Sequence, residues 1–202
     1  MRQKELEMTL QKVPIFRDPS PNLEQYITPA NIAADIIFTA YQFGNIENKI
    51  VLDLGCGTGI FSVGIFLVGA KKVIGIDVDK DCIDVAKEFA GKNNLEIEFL
   101  IQDVNNISLK CNTVVMNPPF GAQKSNQKAD RKFIEKGFEV AHVIYSLHLS
   151  KTIPFIDKMV KSLKGRIDYS KDYVFPMKST HSFHEKKVVN YDVTLLRIIT
   201  KT

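Results

Sequence analysis

Asn117-Pro118-Pro119-Phe120 has the residue types and spacing for chemistry on a planar amine, and it closes the apolar run Thr113 to Met116. Two successive prolines fix φ and remove backbone donors, so the turn presents carbonyl oxygens. An aromatic exocyclic amine is a poor nucleophile because its lone pair is delocalised into the ring. The Asn117 side-chain carbonyl and the Pro118 backbone carbonyl can accept its two hydrogens. That arrangement favours a more tetrahedral nitrogen and frees the lone pair for attack. Orientation and preorganised polarity would then supply most of the rate, with no strong base required. Phe120 could stack on the base, a contact worth about 1–3 kcal/mol. The plainer alternative is an ordinary Pro-Pro turn with Phe120 in the core.

A second chemical stretch is Asp53-Leu54-Gly55-Cys56-Gly57-Thr58-Gly59. Ile50 to Leu54 reads as a buried strand, and a helix begins at Ile60. A strand that turns on glycines into a helix lets backbone approach a nucleotide-like ligand closely. The dinucleotide fingerprint G-x-G-x-x-G wants a glycine where Ile60 stands, so a pyrophosphate fits imperfectly. S-adenosylmethionine carries no phosphate. It needs close backbone approach and anchors for an amino-acid tail, a ribose and an adenine. Asp53 opens the loop and could hold the ammonium through charge-assisted hydrogen bonds, directly or through water. Asp77, ending the next strand, could accept both ribose hydroxyls, although a nicotinamide dinucleotide would use the same acid. Asp103, ending the third strand, could accept from the adenine amine. Three carboxylates at successive strand ends would repel phosphate and suit a sulfonium. Asp79 and Asp81 sit where a helix N-cap would, and Cys56 reads as a small residue in a tight loop.

The elements that must position these residues alternate. A helix is expected within Met1 to Lys12, then a proline-rich strap from Val13 to Asn22. Thr28 as N-cap and Pro29 as first residue start a helix that runs to Phe43. Strands are expected at Lys72–Asp77, Ile97–Gln102 and Thr113–Met116, with a helix from Lys80 to Asn93. This βαβ spacing implies a parallel sheet with ligands at the strand carboxyl ends. Gly121 to Lys132 reads as a polar, basic loop, and Phe133, Phe138 and Ala141 suggest a helix. A fifth strand is expected over Val140–Leu147, a helix over Ile153–Leu163, and strands over Ile167–Phe175 and Val188–Thr200. The last two form an antiparallel hairpin at the sheet edge.

The 202 residues are 45% hydrophobic and 25% charged, an ordinary globular balance that excludes a disordered chain. Ile60 to Ala70 is too short an apolar stretch for a membrane span, and the N-terminus lacks an apolar signal core. Cys56, Cys82 and Cys111 lie far apart, which suits a reducing cytoplasm and no metal site. Charge divides unevenly: residues 1–116 hold 11 Lys and Arg against 15 Asp and Glu, and 117–202 hold 16 against 8. A basic half suggests an anionic partner, with nucleic acid foremost, although a lysine-rich solvated surface is the common explanation. Lys124, Lys128, Arg131 and Lys132 follow the proline turn, and Lys178, His181, His184, Lys186 and Lys187 lie between the last strands. Both groups could contact RNA phosphates. His181-x-x-His184 lacks the further ligands of a metal site. His142 and His148 read as structural.

The glycine loop together with Asn117-Pro118-Pro119-Phe120 resembles the S-adenosylmethionine-dependent amino-methyltransferases. More narrowly, Glu24-Gln25-Tyr26-x-Thr28, Asn117 to Gly121, Tyr145-Ser146-Leu147-His148 and Phe183-His184-x-Lys186-Lys187 resemble the family of methyltransferase-like protein five and its archaeal relatives. The resemblance covers about residues 23–200. It implies an α/β, Rossmann-like class I methyltransferase fold: a mostly parallel seven-stranded sheet with an antiparallel terminal hairpin and helices on both faces. A single domain over 1–202 is expected, with 1–28 an N-terminal extension and strap and 29–202 the core. The implied activity is methylation of adenosine N6 in small-subunit ribosomal RNA. The implied cofactor contacts are Gln25, Thr28, Gly55, Thr58, Ile60, Asp77, Asp103, Val104 and Asn117. A small zinc-binding activator is the implied partner. On the residues alone, methylation of guanine N2 or of a protein glutamine stays open, as does a non-catalytic cofactor-binding RNA scaffold.

Overall fold

Sheet order in the computed structural model is β3-β2-β1-β4-β5-β7-β6. The structure describes residues 1–16, 20, 23–120, 129–178 and 188–200, without the side chains of 129, 177, 178 and 188. The elements are α1 (Gln3–Leu10), α2 (Ala30–Gln42), β1 (Ile50–Leu54), α3 (Ile60–Leu67), β2 (Lys72–Asp77), α4 (Lys80–Lys92), β3 (Glu98–Ile101), β4 (Thr113–Met116), α5 (Ala129–Val140), β5 (Val143–Leu149), α6 (Ile153–Ser162), β6 (Arg166–Lys178) and β7 (Val188–Ile199). β1 to β5 pair in parallel, and β7 lies antiparallel between β5 and β6. The expected sheet, with its terminal hairpin, is the one observed. No described helix is long and apolar enough to cross a membrane.

Strand alternation sends β1 side chains to two cores. Val51 joins Leu6, Leu10, Ile37 and Phe61 on one face, under α1, α2 and α3; Leu52 and Leu54 join Ile134, Ile156 and Val160 on the other, under α5 and α6. α1 packs onto the sheet: Leu6 and Leu10, one turn apart, are both buried in the main core.

Three boundaries differ from expectation. Thr28 does not cap α2, because Pro29 occupies the N-cap position and no side chain closes that end. Val140 ends α5 rather than opening β5, which begins at Val143. Residues 129–132 form the first turn of α5, and 121–128 lie outside the described residues.

Candidate active site

A cavity of about 550 Å³ opens at the carboxyl ends of β1, β2 and β4, between the glycine loop, the strap residues 13–16 and 23–28, and the Asn117 turn. The loop is clamped from beneath. The N–H groups of Gly55 and Cys56 both donate to the Ile76 carbonyl, at 2.8 and 3.0 Å. The Gly57 N–H donates to Asp77 Oδ2 at 2.8 Å. Gly57 has φ of +54°, and a Cβ there would come 3.0 Å from the Phe16 ring. Only glycine combines that backbone with that approach.

Asp77 lines the cavity. Its Oδ2 holds Gly57, and its Oδ1 accepts the Asp79 N–H at 3.0 Å. Burial pushes its carboxyl above the ordinary aspartate value, against the hydrogen bonds from Asp79 and Gly57. Asp79 caps α4, as its position suggested, and also receives Gln25 Nε2 at 2.6 Å. Gln25 Oε1 accepts the Ser20 N–H at 2.7 Å, so this side chain ties the strap to α4 at the cavity wall. Asp103 caps the 3₁₀ turn Val104–Asn106 by accepting from Asn105 N–H at 2.8 Å. Asp103 and Val104 line the cavity, as do Thr28, Gly55, Thr58 and Ile60.

Two expected site residues stand outside the cavity lining. Asp53 does not reach the cavity. It shares Val51's face of β1, is 0% exposed, and its Oδ2 accepts from the Ser62 N–H (2.9 Å) and hydroxyl (2.6 Å) on α3. Burial pushes its carboxyl up to about 7, partly offset by the Ser62 hydrogen bonds. Asp53 thus braces β1 against α3 through Oδ2, while its Oδ1 is buried without a partner. Phe120 is also withdrawn from the site. It is buried, stacked on Tyr26 (centroids 6.0 Å, 18° between planes) and edge-on to Phe175 (6.1 Å, 87°). Its ring packs in the core, as the plainer alternative had it.

Asn117 lines the cavity at the end of β4. Its Nδ2 donates to Thr28 Oγ1 at 3.1 Å, while its Oδ1 is buried with no hydrogen-bond partner. A buried amide oxygen without a donor is costly, by about 1–3 kcal/mol. Asn117 itself lines the cavity, so rotation of the amide would offer this oxygen to a ligand donor. Pro118 and Pro119 line the same wall.

Phe16, Tyr26 and Phe133 also line the cavity, and no local pattern announces them. The proline-rich strap is legible in the sequence, but which of its side chains turns inward depends on packing against the glycine loop. Lys132 reaches the cavity rim from α5, whereas Arg131 is exposed and paired with Glu135 at 2.8 Å. Lys124, Lys128, Lys186, Lys187, His181 and His184 lie outside the described residues, as does the side chain of Lys178. Tyr145-Ser146-Leu147-His148 is structural. Tyr145 donates to Asn45 Oδ1 at 2.7 Å, and His148 is buried with Nε2 2.7 Å from Ser146 Oγ. His142 is exposed.

Residues 33–142 match the family model described as the methyltransferase small domain. The rRNA N(6)-adenosine-methyltransferase METTL5 of Danio rerio is 36% identical, over 98% of this chain and 98% of its own length. The Drosophila melanogaster protein of the same description is 32% identical, over 98% and 96%. The crystal structure of Pyrococcus horikoshii PH1948 superposes with a TM-score of 0.93 at 37% identity, covering 100% of this chain and 99% of that one.

Proposed function

Since this chain belongs to the methyltransferase small-domain family and matches rRNA N6-adenosine methyltransferases along nearly its whole length, we propose that it methylates the N6 amine of an adenosine in small-subunit ribosomal RNA, with S-adenosylmethionine as donor. The observation that carries this reading is the buried, unpartnered Oδ1 of Asn117 beside Pro118 and Pro119. It is an acceptor waiting for a donor, and an exocyclic amine supplies one.

The residues present fit the cofactor. The cavity volume, about 550 Å³, falls in the range of small-molecule sites. Asp77 would take the ribose hydroxyls, and Asp103 with Val104 the adenine. Gly55, Thr58 and Ile60 supply close backbone and apolar contact, with Gln25 holding the strap over them. Asp77 and Asp103 make the wall acidic, which suits a positively charged ligand. When bound, the cofactor supplies an electrophilic methyl group on a sulfonium.

The chain's own part is orientation. Asn117 Oδ1 accepts one amine hydrogen and the Pro118 carbonyl the other, turning the nitrogen lone pair towards the donor side of the cavity. The surplus proton leaves to water, since no base is needed before attack. Adenosine must leave any stack to reach this wall. Lys132 at the rim, with Arg131 and the lysines of 121–128 and 178–187, would contact flanking phosphates. The small zinc-binding activator implied by the family resemblance would add a strand at a free sheet edge, of which β3 and β6 are the two among the described strands.

The test pairs Asn117→Ala with tritiated-methyl transfer to unmodified small-subunit ribosomal RNA and with calorimetric titration of S-adenosylhomocysteine. Transfer should vanish while cofactor affinity is largely kept. Full transfer by the variant would overturn the assignment, and nucleoside mass spectrometry would show directly if the product were methylated at guanine N2.

A further inference from the structure

We propose that Tyr191 is an RNA-binding residue whose ring takes the base of an unpaired nucleotide beside the target adenosine; this rests on the reading of the site as an RNA methyltransferase. β7 outruns its neighbour β5. The two pair from Val143 with Ile199 to Leu149 with Val193, and beyond Val193 strand β7 pairs with β6 alone, as far as Lys178 with Val188. β6 and β7 therefore leave the sheet as a two-stranded arm past the carboxyl end of β5. That is the end of the sheet at which the cavity opens. Along β7 of this arm, alternation puts Val189, Tyr191 and Val193 on one face and Asn190 and Asp192 on the other. The first is the core face: Val193 is 0% exposed, as is Phe175, the cross-strand partner of Tyr191. The apolar stripe nevertheless continues beyond the core and leaves Tyr191 41% and Val189 38% exposed.

The uncovered ring stands beside the acceptor turn. Phe175 lies edge-on to Phe120 with centroids 6.1 Å apart, and Phe120 closes the turn that begins at Asn117. Phe120 in turn stacks on Tyr26, a ring of the cavity lining. Burial raises the Tyr26 phenol above its ordinary value, and the neighbouring Glu24 and Tyr191 add to the rise. The two phenols thus stand within electrostatic reach of each other. An adenosine drawn out of its stack leaves its neighbour with one face bare. An exposed aromatic ring replaces the lost contact without reading the base, because every base has a π face. Charge favours RNA as the occupant. Lys132 stands at the cavity rim, and from Lys178 to Val188 the sequence holds three lysines against one acid, Glu185. Phosphate contacts hold a strand without fixing its register; a base seated on Tyr191 fixes it, and so sets which nucleotide reaches Asn117.

The experiment follows single-turnover methyl transfer against the concentration of unmodified small-subunit ribosomal RNA transcribed in vitro, for Tyr191→Ala, Tyr191→Leu and Tyr191→Phe. The alanine and leucine variants should need about tenfold more RNA to reach half-maximal rate, the size expected when one base loses one ring. Their rate at saturation should stay within about threefold. Tyr191→Phe keeps the ring and should behave as wild type. Affinity for S-adenosylhomocysteine should not change in any of the three. The slope of RNA affinity against salt should also hold, because a stacked ring releases no counterions. Wild-type half-saturation in Tyr191→Ala overturns the inference. So does wild-type behaviour of Tyr191→Leu, which would ask only for apolar surface. An unchanged RNA response with an altered oligomeric state in sedimentation overturns it too, and assigns the face to a second copy of the chain. Should the alanine variant not fold, the leucine and phenylalanine variants supply the same comparison. The two levels separate on the wild-type protein. If it places methyl on adenosine N6 and Tyr191→Ala matches it, only the role of Tyr191 falls; if it places none, the proposed function falls and takes this inference with it.

Discussion

Replacing Asp53 by asparagine should make the protein less sensitive to rising pH. In the folded protein the Asp53 carboxyl titrates at about 7 instead of 3.8, because it is fully buried against α3. A carboxyl raised in this way supports the fold when protonated. Its contribution is complete below the ordinary value of 3.8 and is lost as pH climbs towards 7. A rise of that size corresponds to about 4 kcal/mol of differential stability across the window. Asparagine keeps an oxygen for both Ser62 donors and cannot ionise. Urea titrations of both proteins from about pH 4.5 to 8 give the difference directly, and the groups they share, Asp77 included, largely cancel. The gap should shift in the variant's favour by a few kcal/mol between the ends of the series. Parallel pH profiles would refute the account of Asp53 as a carboxyl titrating inside the core. The same variant should bind S-adenosylhomocysteine nearly as well as wild type, because Asp53 does not line the cavity. A large loss of affinity would return it to the ligand.

Two other substitutions test how the site is supported. Leu6→Ala should cost about 2–5 kcal/mol in urea unfolding, the range for opening a cavity in a packed core, because α1 is built into the main core; a loss below about 1 kcal/mol would return α1 to a surface appendage. Phe120→Leu should lower stability by disturbing the stack with Tyr26 and Phe175, and RNA affinity should hold within about twofold. A loss worth about 1–3 kcal/mol in RNA binding would reinstate base stacking by this ring.

Much of the fold is legible in the sequence because apolar strand runs and glycine punctuation are local. The strands around Val51, Ile74 and Val114 announce themselves, and the glycine loop marks the helix that follows. Local reading fails where direction or distance matters. Asp53 reads as a site residue because it stands at the loop's mouth. Strand alternation puts it on Val51's face, looking at α3, and Ser62, in the first turn of α3, is the available clue. Phe120 reads as a base-stacking ring because its motif is local. Its ring neighbours, Tyr26 in the strap and Phe175 in β6, are remote in sequence and meet it only in the folded chain. Thr28 looks like a cap because Thr-Pro at a helix start usually supplies one. Nothing local shows that its hydroxyl is taken by Asn117. Asp77 and Asp103 are legible as cavity-lining residues because one ends β2 and the other stands two residues past β3, where the fold gathers ligands.

The sheet order has a consequence for how the chain is made. β7 comes last of the strands in sequence yet lies inside the sheet, between β5 and β6. Among the described residues β6 has no other strand partner, and β5 is paired on only one side until β7 arrives. As the chain leaves the ribosome, β5 thus waits with an open edge through α6, the whole of β6 and the residues that follow it. Open strand edges recruit other chains. The interval between emergence of β5 and insertion of β7 is when the nascent protein is most exposed to mispairing, and loss of β7 would leave that edge open for good.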